Sequence, residues 1–118
     1  MSDNNSLMPV VANAVVEVSG SITNFLTKTK ASGIIQRAQL EMLREQTTKV
    51  LADARAYNAG DIIIVNLEQL ARTQDHIDSL ERQGRLHGAS LKMAMNQLDD
   101  LNNMLRRNLR RYENRELG

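Results

Sequence analysis

The stretch "RQGRLHGAS", residues 82–90, decides how this chain folds. Gly84 and Gly88 sit four residues apart between two segments of strong helical character. On both sides runs one apolar pattern: Leu70, Ile77, Gly84, Leu91, Leu98, Leu105 and Tyr112 recur at every seventh position. Leu67, Leu80, Ala94, Met95, Leu101 and Leu109 lie three or four residues from them. This is a heptad stripe, and it predicts a coiled-coil-like helix over 62–113. Unbroken, that helix would be roughly 75 Å long, too long for the rest of the chain to cover. Glycine costs about 1 kcal/mol relative to alanine inside a helix, so 84–88 is where a bend would divide the rod into two shorter helices. The competing reading is a close crossing, in which two small residues let another helix approach. The charged neighbours Arg82, Arg85 and His87 favour the bend.

Working outward, "NAGD" at 58–61 is a sharp stop between two helical segments. Gly60 can adopt a left-handed conformation, and Asp61 can cap the second segment. The segment 34–58 is rich in helix formers, with Leu40, Leu43, Thr47, Val50, Ala54 and Tyr57 on one face. "IIIV" at 62–65 has strand propensity but no partner strand, so helix is predicted. Earlier, Val11, Val15, Val18, Ile22, Phe25 and Leu26 have helical spacing over 7–29. Ser6 is a candidate cap, Pro9 falls in the first turn, and "SGS" at 19–21 is a candidate break. Residues 1–6 are polar and expected to be disordered.

Composition agrees with helix-on-helix packing. Of 118 residues, 42% are hydrophobic and only 3% aromatic, so the core must be built from aliphatic side chains. The expected fold is therefore all-α in a single domain over 7–118. It comprises a long helical hairpin with a coiled-coil-like C-terminal helix and a shorter N-terminal helix. With no cysteine, thiol catalysis and thiolate metal sites are excluded. A basic leader with a cleavage site is absent, and so is an uninterrupted apolar run of about 18 residues. The expectation is a cytoplasmic protein without a membrane span.

Catalytic constellations do not assemble. His76 and His87, the two histidines, would stand roughly 16 Å apart along a helix, beyond the reach of one metal ion. Asp75, His76 and Ser79 are too close in sequence on one helix to converge. There is no glycine-rich phosphate loop. The reading is of a non-enzymatic protein with no cofactor and no metal.

What remains is surface. Leu91, Met95, Leu98, Leu101, Leu105, Leu109 and Tyr112 form a sticky seam expected to bind a second copy or another helical protein. Asn102 and Asn108 beside it could fix register. The net charge of +1 conceals a basic end, where Arg106, Arg107, Arg110, Arg111 and Arg115 face only Glu113 and Glu116. Cations near a helix C-terminus suit its dipole. Phosphate binding, and so a small nucleic-acid-binding regulator, ranks second to helical assembly. A subunit of a secreted or phage-like assembly ranks third.

Overall fold

The computed structural model describes residues 3–117, with side chains from 9 to 114. It contains four helices: α1 (Asp3–Ser32), α2 (Arg37–Ala56), α3 (Asp61–Arg82) and α4 (Ala89–Leu117). Each packs on two neighbours, α1 on α2 and α4, and α3 on α2 and α4. Short connections make successive helices antiparallel, giving an up-down-up-down bundle measuring 51 × 22 × 19 Å.

The rod expected over 62–113 is divided in two. Gly84 and Gly88 have φ of 68° and 59°, a backbone region that other residues enter only at a cost. The Arg85 N–H closes on the Leu80 carbonyl and ends α3. The Ser90 hydroxyl then donates to the Arg85 and His87 carbonyls and accepts from the His87 N–H. The loop is thus tied by its own side chain, and α4 folds back along α3.

Other boundaries differ for local reasons. Residues 1 and 2, within the stretch expected to be disordered, lie outside the described residues. α1 begins at Asp3, ahead of the expected Leu7, and the Ser6 side chain lies outside the described set. "SGS" does not interrupt α1. Ser19 is buried with a partner on α4, and Gly20 faces solvent with nothing near its missing Cβ. α1 is therefore a continuous 30-residue helix. Its portion Pro9–Ser32 is long and apolar enough, by length and composition, to cross a membrane: an 18-residue window within it has mean hydropathy 1.2, and 44% of that window is buried in the bundle. The Ser32 hydroxyl bonds to the Ile34 backbone, and Gln36 is the N-cap of α2. Asp61 is the first residue of α3, and Gly60 occupies the cap.

The core is one aliphatic cluster drawn from all four helices, with Phe25 its largest side chain. The α1 stripe is buried throughout, as is the α2 stripe except Tyr57, which is 39% exposed at the end of the bundle. At that end Tyr112 covers Gly60. A Cβ there would meet the Tyr112 ring at 3.1 Å, and the Gly60 φ is 100°. Gly60→Ala should therefore lower stability by about 1–3 kcal/mol, whereas Gly20→Ala should raise it by about 0.5–1 kcal/mol. Urea denaturation followed by circular dichroism measures both, and a neutral Gly60→Ala would contradict the packing described.

Candidate functional site

The leucine seam lies inside the molecule. Met95, Leu98 and Leu105 are at most 1% exposed, Leu91 and Leu109 are buried, and Leu101 and Tyr112 pack against the cluster partly covered. The seam expected to hold a second chain is occupied by the chain's own helices, because the break at 84–88 lets α1 and α3 flank α4. The apolar stripe was legible in the sequence. That α1 supplies its cover was not, since α1 and α4 are separated by most of the chain.

Polar side chains key three of the four helix–helix seams. Between α1 and α4, the Ser19 hydroxyl donates to Asn102 Oδ1 at 2.8 Å, and Asn102 Nδ2 donates to the Thr23 hydroxyl at 3.1 Å and to the Ser19 carbonyl at 3.3 Å. Arg106 completes the clasp, with Nε on the Ser19 hydroxyl at 2.7 Å and Nη2 on the Thr23 hydroxyl at 2.6 Å. Between α2 and α3, Gln74 Nε2 donates to the Thr47 hydroxyl at 2.9 Å, while Gln74 Oε1 is buried without a partner among the described residues. Between α3 and α4, Asn66 donates to the Leu101 carbonyl at 3.4 Å and accepts from Asn108. Asn102 and Asn108, expected to fix register between chains, form their hydrogen bonds between helices of one chain.

Ion pairs reinforce the α2–α3 seam. Arg44 bridges Asp75 at 2.8 Å and Asp78 at 3.3 Å, and Arg55 meets Glu68 at 2.6 Å. The hydrogen bond to Asp75 holds the Arg44 guanidinium above its ordinary pKa, against the opposing effect of burial and with support from Asp78. Within α3 only Asp78 and Arg82 pair, at 2.9 Å, among the described residues; Glu68 reaches across to α2. Such exposed pairs contribute roughly 0–1 kcal/mol each.

The arginine cluster is divided by the α1–α4 clasp. Arg106 is committed to Ser19 and Thr23. Arg107, Arg110 and Arg111 are exposed and form no ion pair among the described residues. The Arg115 side chain lies outside the described set. His76 and His87 are placed on α3 and in the 83–88 loop, and no group of three or more metal-ligating side chains occurs among the described residues.

Sequence reasoning passed over the outer face of the α3–α4 pair. On α3 the residues Ile62, Val65, Gln69, Arg72 and His76 recur at steps of three and four along the side turned from the core. On α4 Met93, Gln97, Asp100, Met104, Arg107 and Arg111 do the same. Ile62 is 53% exposed, Val65 48% and Met104 39%. Asn66 reaches both Leu101 and Asn108, so helical geometry sets Met104 level with Val65. On and around this apolar centre stand five charges without an ion pair among the described residues, with Arg107 next to Met104 and the other four farther out. Asp61 and Arg111 lie toward one end, Arg72 and Asp100 toward the other. The signal was available as a second three-and-four stripe, masked by the more apolar inner one.

Comparison with protein-family profiles, curated proteins and solved structures gives no match.

The buried keys predict opposite signs on substitution. Asn102→Leu strips Ser19, Thr23 and Arg106 of a shared partner and should cost about 1–3 kcal/mol. Gln74→Leu removes the lone buried carbonyl while Thr47 keeps its bond to the Leu43 carbonyl, and should stabilise by about 1 kcal/mol. Thermal melts of the two variants check this, and a stabilising Asn102→Leu would refute the clasp.

Proposed function

We propose that the protein is a non-enzymatic helical assembly module that pairs with a second copy of itself through the outer face of α3 and α4. The observation carrying this reading is the charge pattern of that face. At one end the acid, Asp61, is on α3 and the base, Arg111, on α4; at the other the base, Arg72, is on α3 and the acid, Asp100, on α4. Turned about a two-fold axis perpendicular to the helices, a second copy sets Asp61 against Arg72 and Arg111 against Asp100. Each of these four charges meets its opposite, Arg107 is left as the fifth charge of the face, and Ile62, Val65 and Met104 close over the centre. Isologous pairing of this kind requires one patch complementary to itself. The assembly expected from the sequence is thereby carried by the outer stripe, in a coiled-coil-like stacking of helix pairs.

The test is light scattering coupled to chromatography. The wild type should run as a dimer that weakens with added salt, and Val65→Asp should run as a folded monomer. Asp61→Arg should weaken the dimer, and Asp61→Arg with Arg72→Asp should restore it. An axis parallel to the helices would instead pair Asp61 with Arg111, and the double swap would then fail to restore. A wild-type monomer at about 100 μM would remove the reading, since a working dimer has a Kd well below that concentration.

A second reading rests on Arg107, Arg110 and Arg111, three exposed cations within five residues and without an ion pair among the described residues. It makes this end of α4 a contact for nucleic-acid phosphates. Substituting the three with Ala should abolish salt-dependent binding to DNA or RNA; absence of binding in the wild type would dismiss it. Arg106 is left out because its loss would damage the clasp.

A further inference from the structure

At the end of the bundle opposite Tyr112, a groove of about 450 Å³ opens between the last turn of α1 and the first turns of α4. Its apolar floor is Leu91 and Met95, both buried. Lys30 stands on one wall and Lys92 on the other, with Asn96 beyond. Neither lysine forms an ion pair among the described residues, and no acidic residue among them lines the groove. Gly33 and Gly88 form the mouth, and a Cβ at either would meet nothing within 4 Å.

The decisive observation is Thr29. Thr29 lines the groove, it is 1% exposed, and its hydroxyl, shielded from solvent, has no hydrogen-bond partner among the described residues. Helical threonines ordinarily satisfy themselves on the carbonyl four residues back. Thr23, Thr27 and Thr47 do so here, at 3.1, 2.9 and 2.9 Å. Thr29 does not. A buried hydroxyl left unpaired costs about 1–3 kcal/mol, and a ligand oxygen would relieve that cost. The α4 N-terminus adds to the donors. The Lys92 N–H bonds to the Gly88 carbonyl at the start of the helix, so the N–H groups just before it fall outside the ladder and favour an anion.

From these features we infer that the groove is a binding site for an amphiphilic carboxylate. The carboxylate sits between Lys30 and Lys92, where a turn of the Thr29 side chain about χ1 brings its hydroxyl to it, and its hydrocarbon lies on Leu91 and Met95. The volume is in the range of small-molecule sites, which combine apolar walls with a few placed polar groups. Bare phosphate would leave the floor unused, and a neutral hydrocarbon would leave both lysines and Thr29 unused. The site is on the α1–α4 side, away from the face assigned to self-association, so the inference stands or falls independently of that reading.

Isothermal titration of the full chain with octanoate, and separately with inorganic phosphate, tests it. Octanoate should bind saturably at one site per chain and phosphate far more weakly. Lys92→Gln, at an exposed position that leaves the core untouched, should weaken octanoate about tenfold, the size expected for one charge-assisted hydrogen bond. Thr29→Val, matched in shape, should weaken octanoate while raising the melting temperature of the free protein. The same titration on Val65→Asp should be unchanged. No saturable octanoate binding at millimolar concentration, equal affinity for phosphate, or full affinity in Lys92→Gln would each overturn the proposal.

Discussion

The fold depends on a length constraint. The apolar stripe running from Leu67 to Leu109 is too long to be covered by one chain while straight, and it is relieved at Gly84 and Gly88. Positive φ at both glycines, with the Ser90 hydroxyl tying the intervening backbone, reverses the chain between Arg82 and Ala89. α4 then lies along α3, and α1 can close the remaining side. Without the reversal Leu98 and Leu105 would need another molecule; with it they are fully buried at home. Leucines at heptad spacing specify that a surface must be covered, but not by which chain.

Aliphatic packing alone would leave the order and register of four similar helices loosely determined. The polar keys supply the difference. Ser19, Thr23, Asn102 and Arg106 match only between α1 and α4, and Thr47 with Gln74 only between α2 and α3. A bundle slipped by one turn, or with helices exchanged, would bury these groups unmatched, at a cost well above that of a shifted leucine. In Gln74 the match is incomplete, since one amide atom is satisfied and the other is not. Specificity here is bought with some stability.

The inner stripes were legible residue by residue. Val11, Val15, Val18, Ile22, Phe25 and Leu26 are all buried, as are Leu40, Leu43, Thr47, Val50 and Ala54, because three-and-four spacing is a direct statement about one side of a helix. Gly60 was legible as punctuation for the same local reason. The cover over α4 was not legible, because Ser19 and Asn102 are 83 residues apart and neither carries a mark pointing to the other. "SGS" misled as a break because serine and glycine read as turn formers until tertiary packing finds Ser19 a partner. The outer α3–α4 face went unread because a stripe containing Gln, Arg and Asp resembles ordinary solvated surface. The Thr29 groove went unread because a threonine's hydrogen bonding depends on its rotamer, which the sequence does not show.

The ring of four seams is not uniform. Three carry polar keys, while no side-chain hydrogen bond joins α1 to α2 among the described residues, and a groove of about 690 Å³ runs between them past Asn24, Gln39 and Met42. The bundle resembles a folded screen with three latched edges and one that merely touches. Thermal agitation would part it there first, swinging α1 outward with α4 as its hinge post while the α2–α3 hairpin stays clamped by Arg44 and Arg55. Such a door gives the interior a preferred side from which to be reached.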